Sequence, residues 1–342
     1  MMKYFTHPKG VFVIKIPVEW QYKNVAVGYE EKSPFSFEFY EDEVGCFQIS
    51  CYSKDEKPIN STFKVQSFDS DNLEFIEERM DGGGFNTHLW AAVVEDHMFM
   101  AKYIYDTKKE HSDKVKAELS KAVESLKTLQ LLSPKVREEA IIIDKYEKFM
   151  SSLAASFDLL NEAFENKSAI TIVIIIANQI DAYLRLALVM TNQLEENTND
   201  IDISFLHQGE NDKPIAERKI YSLARKANII GSELFDELDR LYKIRNKMVH
   251  RYIISEFRTR DIDDLSIEYI YICEEVRLIL EGIENEQFKK NIGIYGGERN
   301  PKDEHSAESI NFLYSQVNDK HLIHKRNRKI AAPNNGNRCT SP

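Results

Sequence analysis

Cysteine is scarce in this chain: Cys46, Cys51, Cys273 and Cys339 are scattered, with no pair at metal-ligand spacing. That scatter fits a reducing cytoplasm better than a disulfide framework. A broad basic field is also lacking, since 45 Lys and Arg stand against 56 Asp and Glu, for a net charge of -11. This excludes a scanning DNA binder and leaves room only for a local basic cleft. Long apolar runs are missing too. The start, Met1-Met2-Lys3-Tyr4-Phe5, has no signal-peptide core, and AITIVIIIA at 169–177 is too short to span a bilayer before it meets Asn178, Gln179 and Asp181. It is expected to be a buried element, with no membrane partner. Gly82-Gly83-Gly84 is not followed by Lys-Ser/Thr, which excludes a phosphate-binding loop. His88 and His97 in a hairpin, and His207, His321 and His324 in loops or tail, are expected at the surface, so neither metal nor cofactor is expected.

What is present is enough apolar material, 42% of 342 residues, for two cores. Short β-branched and aromatic runs, VFVIKIPVEW, VAVGYE, FSFEFYE and GCFQISCY, predict antiparallel strands. Residues 71–80 suggest a short helix before the glycine turn. THLWAAVVEDHMFMAKYIYDT then reads as a hairpin turning at Glu95-Asp96. Val115, Leu119, Ala122, Val123, Leu126 and Leu129 recur at helical spacing and would cover that sheet. An α+β unit is expected over 1–132, closed by Ser133-Pro134.

Beyond Pro134 helices are expected at about 135–165, 167–195, 214–228, 231–249 and 262–284. ITIVIII is strand-like by propensity, but its continuation IANQIDAYLRLALVM favours a buried helix. Leu234, Leu238, Leu241, Met248 and Val249 read as packing residues, and Asp181 with Arg185 as an intrahelical ion pair. The fold class is α+β: an N-terminal antiparallel-sheet sandwich, an all-α bundle over 136–285, and a partly disordered basic extension over 286–342. Within that extension AESINFLYSQV offers one short helix, and the segment from His321 carries basic residues with no acid.

Near the end of the 231–249 helix stands Arg245-Asn246-Lys247-Met248-Val249-His250, followed by Arg251 and Tyr252. A guanidinium grips phosphate bidentately without losing its charge, and an imidazole can move a proton near neutral pH. Five positions turn an ideal helix by about 140°, so Arg245 and His250 do not share a narrow face. Asn246 is four positions before His250 and shares its face, a place from which it could orient the ring or contact phosphate. Lys247 and Arg251 are peripheral RNA-binding candidates. Tyr252 is either a base-stacking residue or a core tyrosine at a helix junction. Against this stands a purely structural reading, in which Arg245 pairs with Asp239, Glu237 or an acid on the next helix, His250 caps its helix and Asn246 satisfies backbone.

The run KIYSLARKANIIGSELFDELDRLYKIRNKMVHRY resembles the HEPN superfamily of helical-bundle domains, through its Arg-polar-x-x-x-His signature late on a long amphipathic helix with another helix following. The resemblance covers about 136–285. It implies a dimeric, metal-independent endoribonuclease of phage-defence or toxin–antitoxin systems, with Arg245, Asn246 and His250 in the motif positions and RNA as partner. Some members of that superfamily are inactive assembly modules, which keeps a noncatalytic scaffold or a nucleotide sensor as alternatives. Ile16-Pro17-x-x-Trp20, the stretch from Trp90 to Asp96 and the 114–130 helix are similar to the α/β/α sandwich of PsbP-like proteins and small Ran-binding regulators. That likeness implies a binding or regulatory module able to take a protein partner.

Overall fold

A computed structural model describes residues 2–26, 32–39, 44–56, 64–67, 73–209 and 212–296. The chain divides into two compact units, the division falling between Asp144 and Lys145. Together they make an α+β protein, a sheet region followed by a helical region.

The first unit holds strands β1 (Met2–Thr6), β2 (Phe12–Pro17), β3 (Trp20–Tyr22), the single-turn helix α1 (Lys23–Ala26), β4 (Phe35–Phe39), β5 (Cys46–Ser53), β6 (Val65–Gln66), β7 (Ile76–Gly82), β8 (Phe85–Val94), β9 (His97–Asp106), helix α2 (Asp113–Leu126) and β10 (Gln130–Leu131). Among the described residues one sheet runs β1-β2-β10 and the other β3-β4-β5-β9-β8-β6, with β7 also on β8. All ladders are antiparallel except the short β6–β8 pair. In β9, His97, Phe99, Ala101, Tyr103 and Tyr105 alternate inward, the two-residue period of a half-buried strand. The β8–β9 hairpin turns at Glu95-Asp96 as its sequence predicts. Gly83 and Gly84, at φ +66 and +87, form the β7–β8 turn, where a side chain would be strained.

Two expectations fail here. Residues 76–80 form strand β7 rather than the end of a helix, because β8 offers them a seven-residue ladder that outweighs weak local helix preference. Val25 and Ala26, which open the expected strand run VAVGYE, instead close a helical turn over Lys23–Ala26. The rest of VAVGYE, Cys339, AESINFLYSQV and the basic segment from His321 lie outside the described residues.

Helix α2 lays Val115, Ala122 and Leu126 on an aromatic core built by Phe12, Phe35, Phe37, Phe47 and Phe99. A buried polar bond fixes its register: Trp20 Nε1 donates to Glu118 Oε2 at 2.5 Å, while Lys121 bridges Glu118 and Glu19 at 2.6 and 2.7 Å. His7 packs edgewise on Phe35 and tilted on Phe12, each at 5.1 Å. Burial first, then the Lys9 and Arg137 charges, lower its pKa to about 4. A base whose pKa falls on folding binds more protons when unfolded, so stability is complete above pH 6.5 and declines as pH falls from 6.5 towards 4. Both tryptophans, Trp20 and Trp90, lie in this unit. Urea midpoints followed by their fluorescence should fall over that window, and His7→Phe should flatten the decline; an unchanged slope in the variant would assign it to other groups.

The second set of helices is α3 (Arg137–Glu165), α4 (Ala169–Glu196), α5 (Glu217–Lys226), α6 (Ser232–Arg251) and α7 (Thr259–Lys290). The strand-like ITIVIII is helical throughout. The nine-residue apolar run belongs to a 28-residue helix long and apolar enough to cross a membrane by composition, yet 67% of its most apolar window is buried inside the protein. α4 packs along α7 and against α5, and α6 meets α5 and α7. Ile180, Leu184, Ile220, Leu241 and Tyr269 are wholly buried or nearly so at the centre of this core. Val249, expected to pack, is 45% exposed.

Arg185 clamps the connection between α4 and α5: it pairs with Asp181 at 2.6 Å and donates to the Phe205 and Ile215 carbonyls at 3.0 and 2.8 Å. The far ends of α4 and α7 are joined by two fully buried glutamines. Gln287 Nε2 donates to Gln193 Oε1 at 2.8 Å and to the Met190 carbonyl at 3.1 Å, while Gln193 Nε2 reaches the Asn199 and Asp200 carbonyls. Gly293, at φ +81, lets the chain pass this pair, since a Cβ there would lie 2.2 Å from Gln287 Nε2.

Candidate nucleic-acid site at the end of the sixth helix

Helix α6 begins after Gly231 and buries Leu234, Leu238, Leu241 and Met248 at three- and four-residue spacing. That stripe fixes which residues face neighbouring α5. Arg218 on α5 pairs with Asp239 at 2.6 Å, and Asp239 also takes Lys243 at 2.6 Å. Glu237 pairs with Arg240 at 2.6 Å. Both acids expected to neutralise Arg245 are thus occupied by other cations.

Arg245 instead meets Glu217, in the first turn of α5, where the positive end of the helix dipole favours a carboxylate. Nη1 donates to Oε1 at 2.9 Å and Nη2 to Oε2 at 2.8 Å, a bidentate pair. The side chains are 13% and 17% exposed, so the pair is mostly withdrawn from solvent. One turn along α5, the Tyr221 hydroxyl donates to Glu217 Oε1. The Arg245 guanidinium lies 4.9 Å from the Tyr242 ring centroid, a cation–π contact. Burial opposes its charge, but the Glu217 hydrogen bonds and carboxylate outweigh burial and hold it protonated above its ordinary range. Burial raises the Tyr221 pKa, aided by the adjacent Glu217 charge, so the hydroxyl stays a donor.

Asn246 joins Arg245 rather than His250. Its Oδ1 accepts from Nη2 at 2.9 Å and from Nε at 3.3 Å. The guanidinium is a charged donor right beside the amide oxygen, which explains why the shared face with His250 does not decide its contact. His250 is exposed near the C-terminal end of α6, and among the described residues no side chain hydrogen-bonds its imidazole. Lys247 is exposed with its ammonium 5.5 Å from the Phe257 ring centroid. Arg251 and Tyr252 are both exposed, so Tyr252 is not a core residue. Beyond them Ile253 and Ile254 are 94% and 82% exposed.

The structure therefore brings Arg245 and Asn246 together and leaves His250, Lys247, Arg251 and Tyr252 on the adjoining surface. Glu217, Tyr221 and Tyr242 are the members that the sequence pattern missed. Glu217 and Tyr221 have helical i,i+4 spacing, but the 28-residue separation of Glu217 from Arg245 carries no local signal. Elsewhere, His88 is not a surface histidine: its Nδ1 donates to the Glu77 carboxylate at 2.7 Å and its ring stacks on Trp90. His97 is buried in the sandwich. Among the described residues no cluster of three or more His, Cys, Asp or Glu is placed to hold a metal ion.

No family model matches the chain, and no curated protein does. A solved structure from Bacteroides thetaiotaomicron VPI-5482, determined at 1.50 Å, is similar over 53% of this chain and 76% of its own length, at 16% identity and a TM-score of 0.27.

Proposed function

We propose that the protein is a metal-independent endoribonuclease whose site is built on α6, with Arg245, Asn246 and His250 as its chemical groups. The observation that carries this reading is the hydrogen-bonded Arg245–Asn246 pair placed one helical turn before an exposed His250 whose ring no described side chain hydrogen-bonds. In it, His250 removes the proton of a ribose 2′-hydroxyl, or protonates the departing 5′-oxygen. Arg245 stabilises the charge on the phosphorane, and Asn246 holds the guanidinium in place. Lys247 and Arg251 would contact flanking phosphates, and Tyr252 would stack on a base. Because one helix end supplies a single imidazole, a second copy completes the acid–base pair. Exposed Val249, Ile253 and Ile254 beside His250 offer that copy an apolar surface. The N-terminal unit would bind a protein partner that restrains or targets cutting, in a cytoplasmic phage-defence or toxin–antitoxin setting. With net charge -11 the substrate is a folded or delivered RNA rather than any RNA.

The test is RNA cleavage in excess chelator followed by analysis of the ends. The expected products carry a 2′,3′-cyclic phosphate and a 5′-hydroxyl. Loss of cutting on chelation, or 5′-phosphate ends, would overturn the reading. A noncatalytic assembly module is the second reading, favoured by the closed Arg245–Glu217 pair. It expects a stable complex with intact RNA, or none, whatever residue stands at 250.

A further inference from the structure

A guanidinium has two edges able to grip an anion with a pair of parallel N–H donors. In Arg245 both are taken: Glu217 holds the Nη1/Nη2 edge at 2.9 and 2.8 Å, and Asn246 Oδ1 holds the Nε/Nη2 edge at 3.3 and 2.9 Å. Four of the five N–H groups are thereby engaged, and the Glu217 charge cancels that of the arginine. A phosphate arriving here meets a neutral pair, and one edge is already filled by an oxyanion of the same geometry.

We propose that Glu217 is an internal stand-in for the substrate phosphate, an autoinhibitory latch that RNA must displace from Arg245 before the site can work. This rests on the ribonuclease reading and adds its regulation. Three features make the latch reversible rather than merely structural. Glu217 belongs to the first turn of the ten-residue helix α5 that follows the long connection held by Arg185, so its position depends on a clamp outside the site. Its second grip is the Tyr221 hydroxyl, which can keep a released carboxylate on α5. Arg245 stays seated on Tyr242 and Asn246 when the carboxylate leaves, so the arginine remains aimed while its better edge opens.

The experiment compares the full chain with Glu217→Gln, Tyr221→Phe and Glu217→Gln/Arg245→Ala. Binding of a fully 2′-O-methylated oligoribonucleotide, which cannot be cut through the 2′-oxygen, is read by fluorescence anisotropy. Cleavage of the unmodified RNA in chelator is read alongside. Glu217→Gln keeps the shape and removes the competing charge; it should bind about tenfold more tightly, the scale of one partly buried charge contact. Tyr221→Phe, which loses only the hydroxyl, should shift affinity the same way by less. Adding Arg245→Ala should cancel the gain. Unchanged or weaker binding by both single variants overturns the latch, and if cutting in chelator persists, the ribonuclease reading survives alone. A gain that Arg245→Ala cancels, with no cutting by any protein, keeps the latch and ends the cleavage reading. Neither gain nor cutting ends both.

Discussion

His250→Ala is expected to lower RNA cleavage by about 10²–10⁴-fold, the usual contribution of a positioned acid or base, while unfolding at the same temperature as the parent chain. The second half of that expectation follows from exposure: the imidazole is at the surface and supports no described side chain, so its removal breaks no packing and strands no polar group. Arg245→Ala should behave differently. It too should abolish cutting, but it leaves the Glu217 carboxylate mostly buried with only Tyr221 for company, at a cost of roughly 2 kcal/mol. That figure is below the loss expected for a dry pair because both side chains keep some solvent. Activity assays paired with thermal melts separate the two roles, and a His250→Ala protein that melts early would show the ring to be structural.

The largest loss of stability is expected from Gln193→Leu. Gln193 is fully buried; its Nε2 serves two carbonyls and its Oε1 accepts from Gln287 and from the Ile294 N–H. Leucine fills similar space and leaves these groups without a partner in a dry place, at a cost of about 4 kcal/mol once network effects are included. Helical ellipticity should melt at a lower denaturant concentration. A loss below about 1 kcal/mol would mean that water replaces the amide at little cost. Tryptophan fluorescence serves as the control, since Trp20 and Trp90 report only the sheet unit.

The fold was legible wherever periodicity was strong. The inward alternation of β9 and the three- and four-residue stripe of α6 are written in the chain itself, and each forces one face into a core. Strand β7 was not legible because all of its side chains are exposed, which leaves a pattern of polar residues that only the β8 ladder turns into a strand. At the candidate site the motif located Arg245 and His250 but not their contacts. The acid opposite Arg245 could not be chosen from sequence, since Asp239 and Glu237 lie nearer along the chain and a cross-helix partner wins by its bidentate fit. The buried Gln193–Gln287 pair was invisible for the same reason: two glutamines 94 positions apart become informative only when two helices meet. His88 was misplaced because a polar residue on a strand reads as outward, whereas the Glu77 carboxylate and the Trp90 ring make an inward position tolerable.

The most direct measurement uses one RNA in two forms, differing by a single 2′-deoxy nucleotide at the position where the chain cuts, each incubated in chelator with the parent protein and with His250→Ala. Only the all-ribo form should be cut at that position, and only by the parent protein. Cutting of the 2′-deoxy form there, or equal cutting by His250→Ala, would contradict the mechanism.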